Sequence, residues 1–202
     1  MDYWHNILTE KSWKLLQDIK KAFPFTLIGG WAVYLWAHTH KSKDIDIIVD
    51  YETLTKLKKE YNARKNDHLK KYEITKGEID IDIYIPHYSK LIIPVEEIGT
   101  TTIEGFSVAS LEYLLILKQA AERERKESEK GEKDRIDIVS LLFACDIDFK
   151  TYHELLKKYK VDSFYDRLKL IVNGFSDYKY LHMTPRELKL KKAETLSKLK
   201  FR

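Results

Sequence analysis

Two aspartates set two residues apart, Asp44 and Asp46, head the segment Asp44-Ile-Asp-Ile-Ile-Val-Asp50. Alternation that passes into an apolar run predicts a half-buried strand, with both carboxylates on one face and Ile45 and Ile47 entering the opposite layer. At about 4 Å two such charges repel by roughly 4 kcal/mol at an effective dielectric of 20, and a bound divalent cation is a natural way to hold them together. Magnesium suits an all-oxygen site of this kind. The tripeptide recurs at Asp80 to Asp82 and at Asp146 to Asp148. It arises cheaply in a chain rich in Asp and Ile, so context must separate the copies: the second lies in another long strand, the third between predicted helices as a turn or cap.

Ahead of Asp44, the apolar strand Phe25 to Ile28 runs into Gly29 and Gly30, and Trp31-Ala-Val-Tyr-Leu-Trp-Ala37 follows as a buried helix. At a strand–turn–helix junction, glycine lets the backbone approach a phosphate, which the exposed N–H groups and the helix dipole favour. A Gly-Gly pair alone is most often just a turn; its place before an Asp pair gives it chemical meaning. Trp31, Tyr34, Leu35 and Trp36 form a helical apolar face and read as core rather than as a base-stacking platform.

Gly29-Gly30-Trp31, then Ser42-Lys43-Asp44-Ile45-Asp46, then Asp80-Ile81-Asp82 resembles the nucleotidyltransferase superfamily of polymerase-β type. Its hallmark is Gly-Gly or Gly-Ser, Asp-x-Asp about a dozen residues on, and a later strand carboxylate. The Gly-Gly-Trp-Ala-Val opening and the helical second half are similar to the AbiEii and MenT toxin-like branch and its archaeal relatives, over roughly residues 25 to 140. The resemblance implies an α/β (α+β) nucleotidyltransferase fold, a mixed β-sheet flanked by helices and followed by an α-helical C-terminal region. It implies that Asp44 and Asp46, with Asp82 or Asp80, bind two magnesium ions and that the third carboxylate positions the attacking hydroxyl. Gly29, Gly30 and Ser42 would hold the triphosphate, ATP or another NTP, and Lys118 would neutralise its phosphates. Glu78, Asp80 and Asp82 share one strand face, so spacing does not choose among them; Asp82 is favoured because it directly precedes Ile83-Tyr84-Ile85. His40 stands where some relatives carry an arginine, with Lys41 and Lys43 as alternative phosphate contacts. The implied reaction is transfer of a nucleoside monophosphate to an acceptor hydroxyl. The 3′ end of tRNA is expected first, a small-molecule or protein hydroxyl second, and a non-catalytic nucleotide- or RNA-binding module third. A cognate antitoxin is the partner the toxin-like branch implies.

The remaining chain must position these residues. Helical spacing of Trp13, Leu16, Ile19 and Phe23 predicts a helix over Thr9 to Phe23, and another covers about Glu52 to Tyr61. Lys70 to Thr75 and Glu78 to Ile85 read as a hairpin through Lys76-Gly77, and Thr100 to Val108 is β-rich around Gly105. Ser110 opens a long helix. The polar run Arg123 to Lys133 reads as a helix end and loop, ahead of helices near Asp134 to Ala144, Tyr152 to Tyr159, Phe164 to Val172 and Arg186 to Leu199. Thr184-Pro-Arg-Glu187 has the capping-box pattern. The division expected is a catalytic α/β domain over 1–109 and a helical domain over 110–202.

Composition bounds the rest. Of 202 residues, 34% are charged and 44% hydrophobic, with seven glycines and four prolines, so disordered and low-complexity classes are excluded. Net charge is +4, too balanced to argue nucleic-acid binding by itself. Lysines along the C-terminal helices, among them Lys157, Lys158, Lys160, Lys169, Lys189, Lys191, Lys192, Lys198 and Lys200, would track an RNA backbone, with Tyr152, Tyr159 and Tyr165 stacking on bases; a solvated face is the plainer reading. Abundant Lys and Glu with only Gln17 and Gln119 suits a thermophilic source. The single cysteine, Cys145, permits no internal disulfide, and the start Met-Asp-Tyr-Trp-His has no basic region before an apolar core. A cytoplasmic protein without a membrane anchor is therefore expected. The seven histidines match no zinc pattern.

Overall fold

Isoleucines that alternate with carboxylates settle the strand pairing of a mixed seven-stranded sheet. The computed structural model describes residues 6–199, so the opening Met-Asp-Tyr-Trp-His and Lys200 lie outside the described residues. The first elements are α1 (Asn6–Ala22), β1 (Thr26–Ile28), α2 (Gly29–Ala37), β2 (Ile45–Ile48), α3 (Tyr51–Tyr61), β3 (Arg64–Asn66), β4 (Lys71–Lys76), β5 (Ile79–Tyr84), β6 (Thr100–Ile103) and β7 (Phe106–Ala109). Strand order is β3-β4-β5-β2-β1-β7-β6. β2 runs antiparallel to β1 and parallel to β5, and β1 runs parallel to β7.

Opposite residues share a face, so the pairs Leu27–Ile47, Ile47–Ile83, Ile45–Ile81 and Ile74–Ile81 collect one apolar layer. Ile45, Ile47, Ile81 and Ile83 are fully buried. A one-residue slip of β2 would take Ile45 and Ile47 out of this layer, and one of β5 Ile81 and Ile83, at roughly 1.5–3 kcal/mol each. From α1, Trp13 packs its ring 4.9 Å from that of Trp31 and 5.6 Å from that of Phe106. Trp31 is fully buried and its indole N–H donates to Ser12 Oγ at 2.9 Å, which makes it core and no platform. The polar strand β3 carries no hydrophobic period, and sequence reasoning passed over it.

The later helices are α4 (Leu111–Arg125), α5 (Glu129–Ala144), α6 (Phe149–Lys158), α7 (Ser163–Gly174) and α8 (Pro185–Lys198). The expected loop from Arg123 to Lys133 shrinks to residues 126–128, because Ser128 caps α5 by accepting from Gly131 N at 3.2 Å while its hydroxyl donates to Arg125 O at 2.7 Å. A Cβ on Gly131 would lie 2.2 Å from Arg125 O, so only glycine lets α5 start this close to α4. Asp148, from the third Asp-Ile-Asp copy, caps α6 by accepting from Lys150 N and Thr151 N. Thr184 and Glu187 form the capping box of α8.

Tyr152 and Tyr165, read as candidate base-stacking residues, are buried instead; Tyr152 donates to Gln119 Oε1 at 2.5 Å and Tyr165 to the carbonyl of Leu199. Several of the lysines are also committed locally, Lys192 to the carbonyls of Asn173 and Phe175, and Lys191 and Lys198 to Glu194. Cys145 is half-buried, and burial pushes its thiol up to about 11.

The chain forms two compact units. One holds the described residues up to Leu35 with Lys41–Ser110, and the other holds Trp36–His40 with the described residues from Leu111 onward. Among the described residues, no helix is long and apolar enough to cross a membrane. Two glycine substitutions separate the contributions of packing and propensity. Gly131→Ala is expected to lower stability by about 1–3 kcal/mol through overpacking. Gly174→Ala, at the end of α7 with nothing within 4 Å of its new methyl, is expected to be neutral or to add up to about 1 kcal/mol. Denaturant unfolding of both variants measures the contrast.

Candidate functional site

The parallel pairing of β2 and β5 places Asp46 directly beside Asp82, and the antiparallel pairing of β4 and β5 places Glu73 on the far side of Asp82. Ile28 of β1 flanks Asp46 from the other direction. The face opposite the isoleucine layer thus carries a row Glu73, Asp82, Asp46, Ile28 across four strands. Asp44 immediately precedes β2, and its Oδ1 is buried without a hydrogen-bond partner.

At the end of β1 the chain turns into α2 through Gly29, whose φ is +68°, a conformation that only glycine adopts freely. A Cβ there would fall 2.0 Å from Asp46 Oδ2. The glycine is therefore needed twice, for its backbone angle and to seat the carboxylate of Asp46 against the turn. Gly30, the second residue of α2, is buried, and the N–H groups of this first helical turn have no intrahelical acceptor.

Asp82 is half-buried. Lys71 Nζ of β4 lies 2.6 Å from its Oδ2 and 3.1 Å from Glu73 Oε1, and Asn66 Nδ2 donates to that same Glu73 oxygen at 2.9 Å. Burial pushes the Asp82 carboxyl above its ordinary range against the pull of Lys71, with Glu73 and Asp44 adding to the rise. Burial alone would lower the Lys71 ammonium, yet its bonds to Asp82 and Glu73 hold it above its ordinary value. Asp80 has different surroundings: it is exposed, and Thr75 Oγ1 donates to its Oδ1 at 2.9 Å.

Of the residues predicted for the site, Asp44, Asp46, Asp82, Gly29 and Gly30 meet around the β1–α2 turn and the β2–β5 pair. Ser42, two residues before Asp44, is buried. Lys118 belongs to the helical unit, where its ammonium is 2.6 Å from Asp137 Oδ2 and 3.5 Å from Asp134 Oδ1. Lys71, Glu73 and Asn66 were missed by sequence reasoning. A turn through Lys76-Gly77, as the sequence suggests, would put Glu73 opposite Asp80; Lys76 instead pairs with Ile79, the turn falls on Gly77 and Glu78, and this register sets Glu73 opposite Asp82.

The donors fit magnesium. They are hard oxygens, and the buried, unbonded Oδ1 of Asp44 is a polar atom that a cation would satisfy. Among the described residues no three carboxylates, imidazoles or thiols are already gathered to grip an ion, and Asp82 is turned to Lys71.

His40 lies within the helical unit, its ring 5.9 Å from that of Tyr180 and 6.3 Å from that of His182. Its Nε2 is buried without a hydrogen-bond partner. Burial depresses its pKa below the ordinary histidine value, while Asp137 opposes the shift.

A family described as "Nucleotidyltransferase of unknown function (DUF6036)" matches residues 7–184. No curated protein matches the chain. Among solved structures, the solution structure of the antibiotic-resistance factor ANT(2″)-Ia aligns at 18% identity with a TM-score of 0.53, covering 84% of this chain and 97% of that one. Its crystal structure in complex with adenylyl-2″-tobramycin aligns at 15% identity and a TM-score of 0.48, covering 81% and 99%. JHP933 from Helicobacter pylori aligns at 21% identity and a TM-score of 0.48, covering 95% and 93%. The first of these likenesses shows a shared fold.

Gly29→Ala is expected to displace Asp46 and lower stability by about 1–3 kcal/mol, with nucleotide binding lost; a melting curve and a nucleotide titration check both. His40 makes a second expectation. Its folded pKa is depressed, so the unfolded chain binds the proton more readily, and the contribution of His40 to stability is present above about pH 6.5 and lost as pH falls below it. His40→Gln should flatten the stability profile between about pH 6.5 and 5 relative to the wild type, as measured by unfolding at a series of pH values.

Proposed function

The chain belongs to the DUF6036 family of nucleotidyltransferases, and from that premise we propose a magnesium-dependent enzyme that moves a nucleoside monophosphate from ATP or another NTP to the 3′ hydroxyl of an RNA, tRNA foremost. The observation that carries this reading is the register that sets Asp46 beside Asp82, with Asp44 immediately ahead and the Gly29-Gly30 turn against Asp46. Magnesium held by Asp44, Asp46 and Asp82 would supply charge neutralisation at the α-phosphate and the leaving pyrophosphate. Backbone N–H groups at the start of α2, opened by Gly29 and Gly30, hold the triphosphate, with Ser42 supporting the loop that leads to Asp44. Asp82, set beside Asp46 by the register, orients the acceptor hydroxyl and takes its proton. The hydroxyl oxygen bonds to the α-phosphorus as the bond to the β-phosphate oxygen breaks, and pyrophosphate departs.

Exposed lysines of the helical unit, Lys157, Lys160 and Lys189, support an RNA backbone as acceptor, and base stacking by Tyr152 and Tyr165 is no part of it. Lys118, engaged by Asp137 and Asp134, organises the helical unit in this reading. Similarity to the AbiEii and MenT branch is the reason to place tRNA first, and a cognate antitoxin would be the controlling partner.

Label transfer from each α-labelled NTP, with magnesium and either total tRNA or an aminoglycoside, tests the proposal. Wild type is expected to label tRNA, and Asp44→Asn/Asp46→Asn to lose at least about 1,000-fold, as several kcal/mol of charge stabilisation disappears. Labelling of the aminoglycoside alone would move the acceptor to a small-molecule hydroxyl. Activity that survives in the double variant would overturn the carboxylate mechanism.

A further inference from the structure

Register sets Asp46, Asp82 and Glu73 side by side on one face of the sheet, and a lysine reaches two of them: Lys71, on β4 next to the strand that bears Asp82. Its side chain is 12% exposed, and an ammonium buried that far cannot be left without a carboxylate at acceptable cost. Lys71 has two such partners within reach, Asp82 at 2.6 Å and Glu73 at 3.1 Å, and Glu73 is itself held by Asn66.

Resting on the metal-dependent reading above, we propose that Lys71 is a placeholder cation: it pairs with Asp82 in the metal-free protein and yields that carboxylate to the divalent ion by shifting onto Glu73. Without an ion, the ammonium offsets repulsion that would otherwise push Asp82 away from Asp46. With an ion on Asp82, a second positive charge against the same oxygen is repelled, and the shift to Glu73 needs only a side-chain adjustment because the two carboxylates face each other across β4 and β5. Asn66 keeps Glu73 ready as the second seat. Lys71 is thus a positioning residue, and its pair with Asp82 sets the concentration at which a divalent ion enters. It also accounts for Asp46 and Asp82 lying in register while Asp82 is turned to Lys71.

The test reads Mn2+ binding to the nucleotide-free protein by electron paramagnetic resonance, together with thermal melting, so that neither readout depends on turnover. Lys71→Met is expected to bind Mn2+ about tenfold more tightly than wild type, the scale of one partly buried ion pair. It should also melt lower without the ion and gain more from adding it. Lys65→Met removes the same charge from β3 without touching Asp82 and should bind as wild type does, which separates the placeholder from general electrostatics. Lys71→Arg keeps the charge and adds a forked donor, so it should bind Mn2+ more weakly, and it serves if Lys71→Met fails to fold. Equal affinities in wild type, Lys71→Met and Lys71→Arg, weaker binding by Lys71→Met, or equal tightening by Lys65→Met would overturn the placeholder alone. Absence of Mn2+ binding in wild type and Lys71→Met alike, or wild-type affinity retained in Asp44→Asn/Asp46→Asn, would bring down the metal reading and the placeholder with it.

Discussion

A slip of one residue between the parallel strands β2 and β5 would carry either Ile45 and Ile47 or Ile81 and Ile83 to the wrong face and disperse the acidic row at the same moment. The apolar layer and the carboxylates are two readings of one alternation. Hydrophobic burial supplies the energy that holds the register, and the register holds three like charges, Glu73, Asp82 and Asp46, closer than they would remain by themselves. Gly29 completes the constraint from the side of β1, since no other residue leaves room for the carboxylate of Asp46.

The two units treat buried charge in opposite ways. Within the helices, Glu122 is held by Arg135 and Arg167, and Asp134 by a forked pair of bonds from Arg125 at 2.7 and 3.0 Å. Asp137 has Lys118. Each buried acid there meets a base, as structural ion pairs do. On the sheet, Lys71 is shared between two carboxylates, and Asp44 keeps a buried oxygen unbonded.

Much of the fold is legible in the sequence. Strand, Gly-Gly turn, helix and Asp-x-Asp follow each other in the sequence as they do in the fold, and the alternation of Ile79, Ile81 and Ile83 names β5. The choice between Asp80 and Asp82 was not decidable from spacing, because both share a face; only pairing with β2 and the bond from Thr75 to Asp80 separate them. Lys71 escaped notice because its role appears in the neighbouring strand's register and not in its own surroundings. Lys118 looked like a phosphate ligand because its partners lie on α5, which reach it only once α4 and α5 pack together. The turn between those helices was read as long because polarity suggests loop, whereas Ser128 and Gly131 fold the same residues into a cap.

The segment Trp36–His40 belongs with the helices although it lies between the Gly-Gly turn and Asp44 in the chain. There Cys145 Sγ reaches the carbonyl of Trp36, and the ring of His40 meets those of Tyr180 and His182. The boundary between the units is therefore crossed more than once by the backbone, and no single cut divides the protein into two self-sufficient pieces. Removal of everything after Ser110 would strip Trp36–His40 of its partners, and the helices made alone would lack a strip of their own packing.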